Sequence, residues 1–569
     1  MASPPKVLIF GDDTRSFLAC VRSLGRQGIE VHAAPFSLDA PALQSRYISK
    51  VHLLPYYLDG GGDWLEAMQA LLKAEQYDLV MPCEERSILP LFVHQAQLPS
   101  RTLLAIPDAT ALDVFFDKVN TRKLATDCHV AVPNGHVWQQ GSTIQQLQRE
   151  LGFPMVVKHR QSYSLPHLYL RTQVRMLGTP SEVTAWLDHH QPEPATVYFE
   201  QVVAGIGVGV SVLCHQGQVL QAFEHHRANE LAGSSYYRKS MPLDADRARA
   251  VERMVKAINY TGLAMFEFKL NTDTGAWVLL EVNARPWGSL PLPVAWGVDF
   301  PYRFYQVLCE GTSTAPVPYA AGRYNRNLIA DIWQMRLLAA ELKNQPAKLG
   351  LATLRWLAGF ARLLVLREKL DVLVLDDAKP AWVEIKQFVR QLLPQSATAA
   401  PALSSDLSKL VTPHSAKIQR VLFICQGNIC RSSYAEHKAR ALFGVHGLNL
   451  QCDSAGMLPR NTRPAPPNAI AAARVQGVDL SLHQSKSATS ALIDSADIVI
   501  IFDDINYKSF KQRHPEQVSK LIFLSAFKDT AQAADYIADP DGKDLENFKE
   551  TYKTIDACLL YLANKIKSC

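Results

Sequence analysis

Residues 425–432 read CQGNICRS, a cysteine separated by five residues from an arginine that a serine follows at once. These types at this spacing suit attack on phosphorus. Sulfur attacks as the thiolate, and an ordinary thiol, with a pKa of about 8.5, is mostly protonated near neutrality. A loop of backbone N–H groups ahead of a helix supplies positive potential that favours the thiolate and then the phosphate oxygens. Cys425 is the candidate nucleophile, Gly427 lets the loop curl, and Gln426, Ile429 and Cys430 complete the cradle. Asn428 can brace the loop and Ser432 can hydrogen-bond the thiolate. The planar fork of Arg431 can grip two phosphate oxygens, which a lysine cannot do.

A second constellation lies at 262–289, GLAMFEFKLNTDTGAWVLLEVNARPWGS. Two apolar strands joined by the turn NTDTG present Glu267 from the first, and Glu281 and Asn283 on one face of the second at spacing two. Hard oxygen ligands from neighbouring strands suit Mg²⁺. Arg285 lies just beyond, where it can meet a transferred phosphoryl group. Upstream, Lys158 ends an apolar strand in FPMVVKHR, Glu200 ends another in VYFEQVV, and Lys118 precedes both.

Apolar spacing shows which elements must position these groups. QRVLFIC has a buried-strand pattern and SSYAEHKARALF a helical one, so the cysteine loop joins a strand to a helix. The chain starts in the same way: KVLIFG, a turn at Asp12 and Asp13, SFLACVRSLGRQG with Gly28 as its C-terminal cap, then IEVHAA, a βαβ start for a parallel sheet. YDLVMPC and RTLLAI add strands, and FFDKVNTRKLATDCHVAVP predicts one helix ending ahead of Pro133. Residues 330–393 are mostly helical in pattern, with Lys348, Arg355 and Arg362 recurring every seven residues. That stripe is either the wet side of a core helix or a basic face for an anionic membrane or a partner. The stretch HHRANELAGSSYYRKS, 225–240, is either the lining of an acceptor site or an ordinary hairpin loop.

At 569 residues the chain is too long for one core and should hold about three or four folded units. Hydrophobic residues at 48% and charged ones at 20% are ordinary for a globular protein, and a net charge of +5 is too small and spread out to argue for nucleic acid. Ten irregularly spaced cysteines point to reduced thiols. MASPPKVLIFGDD lacks the long apolar core of an export signal. The most apolar stretch, 349–370, is broken by Arg355, Arg362 and Arg367 and falls short of the roughly 20 residues of a membrane span. A cytoplasmic location is expected. Residues 394–418, rich in Pro, Ala, Ser and Thr, read as a linker.

From about residue 419 to 569 the sequence resembles the low-molecular-weight protein tyrosine phosphatases. Besides CQGNICRS, CDSAGM at 452–457 resembles that family's D-S-A-G-T segment with Met457 in place of threonine, and ADIVIIFDDIN resembles its buried strand and following loop. The resemblance implies cofactor-free chemistry through a phosphocysteine, with Asp539 protonating the leaving oxygen and then activating water. Asp541 and Gly542 stand where the family carries aromatic residues, and Tyr507 and Tyr536 are candidate substitutes. It also implies a reversible Cys425–Cys430 disulfide that guards the nucleophile, the alternative for Cys430 being a small buried hydrophobe. An arsenate reductase shares the fold but relays oxidation through further cysteines, which residues 453–557 lack. A phosphotyrosine-binding trap without a competent acid is the remaining alternative.

The ordered set Lys118, Lys158, Glu200, Glu267, Glu281, Asn283 and Arg285, with LEVNARPWGSLPL as its most specific part, resembles the ATP-grasp superfamily of the carbamoyl-phosphate-synthase-like type over about residues 6–310. The resemblance implies two α+β lobes around ATP. Lys118 and Lys158 would contact its phosphates, Glu200, Gln201 and Val203 its adenine, Glu267, Glu281 and Asn283 the Mg²⁺, and Arg285 the phosphoryl group. The implied activity is carboxylate activation as an acyl phosphate, captured by an amine-type acceptor. HRQSYSLPHLYLRTQV has no glycine where the superfamily has a glycine-rich loop, leaving Ser162 and Ser164 as candidate donors. A nucleotide-binding regulatory module without turnover is the alternative.

The expected whole is an α/β multidomain fusion: a Rossmann-like pre-ATP-grasp domain (1–110), a two-lobed α+β ATP-grasp domain (111–325), a helical extension (326–393), the linker (394–418) and a doubly wound parallel-sheet phosphatase domain (419–569). Its expected partners are a small carboxylate and an amine-type acceptor for the first enzyme, and a phosphotyrosine protein, such as a bacterial tyrosine kinase, for the second. No nucleic acid is expected, and at most peripheral contact with a membrane.

Overall fold

The computed structural model describes residues 4–57, 60–165, 168, 172, 174–231, 234–392, 418–527 and 536–568. The chain forms two compact units, Met1–Leu393 and Pro394–Cys569. The expected linker, save Ile418, lies outside the described residues.

In the first unit, β1 (Lys6–Phe10), β2 (Glu30–Ala34), β3 (Ile48–Val51), β4 (Leu79–Pro82) and β5 (Leu103–Leu104) form a sheet of order β3-β2-β1-β4-β5, parallel throughout. Its strands read as continuous apolar runs because both faces are covered. Val7 and Ile9 enter one core with the helix Ser16–Arg26, while Leu8 and Phe10 enter another with Trp64, Met68 and Leu72. Asp13 starts that helix by accepting from the Ser16 and Phe17 N–H groups at 2.6 and 3.1 Å.

An antiparallel sheet follows: β6 (Gly135–Val137), β7 (Met155–His159), β8 (Arg175–Leu177) and β9 (Val197–Gln201), in the order β6-β9-β7-β8. The largest sheet comprises β10 (Ile206–His215), β11 (Gln218–Leu231), β12 (Ser234–Met241), β13 (Gly262–Leu270), β14 (Trp277–Asn283), β15 (Tyr324–Arg326) and β16 (Glu368–Leu370), in the order β14-β13-β10-β11-β12-β15-β16. The stretch 225–240 is the β11–β12 hairpin. The β13–β14 turn is closed by Asn271 Oδ1, which accepts from the Asp273 and Thr274 N–H groups at 2.9 and 3.2 Å.

Two local expectations fail. The single helix expected across FFDKVNTRKLATDCHV is two, Ala109–Phe115 and Lys118–Asp127, because Asp117 accepts from the Val119 and Asn120 N–H groups and starts the second afresh. An apolar period runs through such a cap without registering it. The recurrence of Lys348, Arg355 and Arg362 is likewise not one helical face. The helix Pro346–Gly359 ends first, and Arg362 lies 4.9 Å from the Tyr324 ring centroid and donates to the Tyr237 hydroxyl at 3.2 Å.

In the second unit, β17 (Arg420–Cys425), β18 (Gln451–Gly456), β19 (Ile498–Ile501) and β20 (Leu521–Phe523) form a parallel sheet of order β18-β17-β19-β20. Val421, Phe423 and Cys425 face one core with Tyr434, Ala469 and Tyr552, whereas Leu422 and Ile424 face another with Ile493 and Phe510. Both faces are therefore covered, as a doubly wound sheet requires. Among the described residues no helix is long and apolar enough to cross a membrane.

Candidate active sites

Cys425 ends β17 and the helix Arg431–Val445 begins just after it, so the loop between them sits at the carboxyl end of a parallel strand and the N-terminus of a helix. Cys425 Sγ lies 3.0 Å from Ser432 Oγ and accepts from the Asn428 N–H at 3.2 Å. Asn428 braces the loop from inside. Its Nδ2 donates to Ser432 Oγ at 3.0 Å and Ser454 Oγ at 2.8 Å, its Oδ1 accepts from the Lys486 N–H at 2.9 Å, and its carbonyl accepts from His483 Nε2 at 2.7 Å. Gln426 Nε2 reaches Ser509 Oγ at 2.8 Å, and Ile429 and Cys430 are buried.

The curl expected of Gly427 falls one residue later, at Asn428, whose φ is +52°. Asparagine tolerates that left-handed conformation. The glycine that the loop does require is Gly456, where a Cβ would meet the Gln426 carbonyl oxygen at 2.9 Å and the Gly427 carbonyl carbon at 3.0 Å.

Arg431 is fully buried. Its Nη1 donates to Asp503 Oδ2 at 2.5 Å and to the Ile537 carbonyl at 2.9 Å, its Nη2 donates to Asp539 Oδ2 at 2.5 Å, and its Nε has no partner among the described residues. Burial pushes the guanidinium down, but Asp503, Cys425 and Asp539 together raise it. The Cys430 thiol is pushed up by burial and by Cys425, Asp541 and Asp539, so it keeps its proton. Cys425 and Cys430 are both free thiols. Tyr507 and Tyr536 pack beside Phe523, with centroids 6.2 and 5.4 Å from its ring. Sequence reasoning misses Asp503 as a partner of Arg431; its one signal is the doubled aspartate after the buried strand in IIFDD.

In the first unit a cavity of about 350 Å³ brings Glu267, Glu281, Asn283 and Arg285 together. Glu267 faces Glu281 across β13 and β14. Asn283 Nδ2 donates to Glu281 Oε1 at 3.2 Å, and Arg285 Nη2 donates to Asn283 Oδ1 at 3.2 Å. Burial raises Glu267 to about 7, with Arg227 opposing and Glu281 adding to the rise. Burial also works against Glu281, but Lys158 and Lys118 hold it below the usual carboxylate range. Asp12, on the same lining, is raised to about 6 by burial and by Glu84. Two facing carboxylates beside an amide oxygen are hard donors that fit a divalent cation. Arg227, in contact with Glu267, is a lining residue that sequence reasoning does not single out; it lies in the stretch 225–240.

The remaining expected residues form a neighbouring cluster outside that lining. Lys158 Nζ donates to Glu200 Oε1 and Oε2 at 3.0 and 3.1 Å, Tyr198 OH donates to Oε2 at 2.9 Å, and Arg122 pairs with the same carboxylate. The Glu200 side chain is thus engaged by three donors rather than presented to a ligand. Gln201 is exposed at the end of β9 and Val203 is half-buried beyond it. Lys118 Nζ donates to Ser162 Oγ at 3.0 Å, and the glycine-free stretch 159–174 is described only in part.

A family model, the low molecular weight phosphotyrosine protein phosphatase, matches residues 420–568. A probable low molecular weight protein-tyrosine-phosphatase EpsP of Ralstonia nicotianae is 31% identical over 139 residues, covering 24% of this chain and 89% of the relative. The protein-arginine-phosphatase of Bacillus subtilis is 28% identical over 147 residues, 26% of this chain and 96% of the relative. D-alanine–D-alanine ligase B of Pseudomonas putida is 26% identical over 318 residues, 53% of this chain and 88% of the relative.

Proposed function

The chain belongs, through residues 420–568, to the low molecular weight phosphotyrosine protein phosphatase family and carries an ATP-grasp ligase-like region before it; from this premise we propose that its second unit hydrolyses phosphotyrosine in proteins through Cys425, and that its first activates a small carboxylate with ATP for an amine-type acceptor. The phosphatase reading rests on one observation: the Cys425 sulfur lies between the Asn428 N–H and the Ser432 hydroxyl, beside a buried Arg431 whose Nε has no partner among the described residues. In the first half-reaction the S–P bond forms, the P–O bond breaks, and Asp539 gives its proton to the leaving oxygen. In the second, water attacks phosphorus, Asp539 takes the water proton, and the S–P electron pair returns to sulfur. Arg431 and the amides of Gln426 to Cys430 hold the equatorial oxygens throughout.

Asp539→Asn tests the acid. It should lower kcat roughly 100-fold for phenyl phosphate, whose leaving group needs a proton, and far less for p-nitrophenyl phosphate. Equal losses on both substrates would remove Asp539 from this role. Because relatives are named for tyrosine and for arginine phosphatase activity, phosphotyrosine and phosphoarginine peptides should be compared; the tyrosine peptide is expected to be preferred.

For the first unit the carrying observation is the cavity that gathers Glu267, Glu281, Asn283 and Arg285. The three oxygen donors would hold Mg²⁺, which neutralises phosphate charge when bound. Lys118 and Lys158, with Ser162 and Ser164, would hold the nucleotide phosphates, the backbone beside Glu200, Gln201 and Val203 the adenine, and Arg285 the acyl phosphate. Glu281→Gln should reduce carboxylate-dependent ADP release about 100-fold or more. ATP binding by the unaltered protein without ADP release in any pool of carboxylates and amines would instead identify a non-catalytic module. The proposed domain limits are 1–110, 111–325, 326–393, 394–418 and 419–569. A cytoplasmic location is proposed from the irregular spacing of the ten cysteines.

A further inference from the structure

The first unit holds a second cavity, of about 680 Å³, between the start of β10, the β11–β12 hairpin and the helices Leu328–Glu341 and Pro346–Gly359. Arg227 lines both this cavity and the one containing Glu267 and Glu281, so the two chambers share one side chain. Gly207 makes that possible: a Cβ there would meet Arg227 Cδ at 2.6 Å. The volume lies within the roughly 300–1,000 Å³ of small-molecule sites.

The lining sets the chemistry. Five cationic side chains face two carboxylates, Glu230 and Asp331. Some of that charge is already spoken for, since Arg326 is held by Asp331 and Glu368. Arg355 and Arg362 are both exposed and have no ion pair among the described residues, but Arg362 donates to the Tyr237 hydroxyl at 3.2 Å, which leaves Arg355. On the same side Trp356, Met335 and Leu338 offer aromatic and apolar surface, and the Gln334 Oε1 is buried without a hydrogen-bond partner among the described residues. An exposed cation without an ion pair, an apolar wall and an unsatisfied acceptor describe a ligand with an anionic group, an apolar body and an N–H donor.

Building on the ligase reading, we propose that this second cavity binds the acceptor substrate, an amine that carries an anionic group on an aromatic or apolar body. Arg355 pairs with the anion, Trp356 covers the body, and Gln334 accepts from the amine. In the transfer the amine nitrogen forms a C–N bond to the acyl carbon, the C–O bond to phosphate breaks, and inorganic phosphate leaves with the electron pair and takes up the proton lost by nitrogen.

The test uses the full chain and two probes. 1-Anilinonaphthalene-8-sulfonate is an aromatic anion, and N-phenyl-1-naphthylamine has the same body without the sulfonate. The sulfonate should bind at one site, and Arg355→Glu and Trp356→Ala should each weaken it at least about tenfold. The uncharged probe should bind more weakly and ignore Arg355→Glu. Lys348→Glu, on the same helix but outside the lining, should change neither, and circular dichroism with an unaltered urea midpoint by tryptophan fluorescence should report intact folding of the first unit. Sulfonate binding that is insensitive to both cavity variants, or matched by the uncharged probe, overturns the site. In a second arm the sulfonate should inhibit amine-dependent ADP release competitively against the amine; release that a saturating sulfonate leaves untouched overturns the acceptor role. Absence of ADP release from every amine pool, with the probe signature intact, overturns the ligase reading and the acceptor role while upholding the anion site.

Discussion

Cys425→Ser is expected to lower kcat for p-nitrophenyl phosphate at least about 1,000-fold while KM stays within about threefold. A hydroxyl in place of the sulfur is a far weaker nucleophile, and the loop around it offers hydrogen bonds from the Asn428 N–H and Ser432 but no general base. The phosphate cradle would survive the change, because Arg431 is fixed by Asp503, Asp539 and the Ile537 carbonyl and not by the sulfur. Binding and turnover should therefore separate. Steady-state kinetics with mass spectrometry of the acid-quenched enzyme checks both points: the phosphocysteine should be trapped on the unaltered protein and vanish from the variant. Hydrolysis at an unaltered rate would mean that another group attacks phosphorus.

Asp371→Ala should destabilise the first unit by about 3–5 kcal/mol. Arg238 and Asp371 pair with both side chains at 0% exposure. Arg238 Nη1 also donates to the Gly288 carbonyl at 3.0 Å, and Asn325 Nδ2 donates to Asp371 Oδ1 at 3.1 Å. Burial depresses the Arg238 guanidinium, and Asp371 is the main group opposing that. Removing the carboxylate strands a charge and an amide donor in a dry core, which costs far more than the pair contributes when intact. The chain provides its own control. All nine tryptophans precede residue 394, so urea unfolding followed by tryptophan fluorescence reads the first unit, while aryl phosphate hydrolysis reads the second. The fluorescence midpoint should fall with hydrolysis in buffer unchanged. A loss under about 1 kcal/mol would show that water or a rearranged partner takes over the pairing.

The sequence-level picture holds best where chemistry and geometry are local. CQGNICRS carries the candidate nucleophile, loop amides, bracing asparagine and guanidinium within one loop and the first turn of a helix, and the alternation in VLFIC marks a strand buried on both faces. Glu267, Glu281 and Asn283 share a cavity because one hairpin register places them there. Where a cap or break intrudes, the same reasoning slips: Asp117 divides one apolar period into two helices, and the helix end at Gly359 removes Arg362 from the stripe that the seven-residue recurrence draws.

Residue types and their short-range spacing alone singled out the atoms proposed to attack phosphorus and the oxygens proposed to meet a hard cation. Only the tertiary structure decided what those groups lean on: Asp503 and Asp539, 72 and 108 residues beyond Arg431, clamp its guanidinium. It also decided that Arg227 lines two cavities and that Gly456, not Gly427, gives the loop its room. The physical reason is separation along the chain. A period of two or of 3.6 residues constrains neighbours on one element, whereas partners from different elements are chosen by how strands and helices pack and by the cost of leaving a buried charge unpaired.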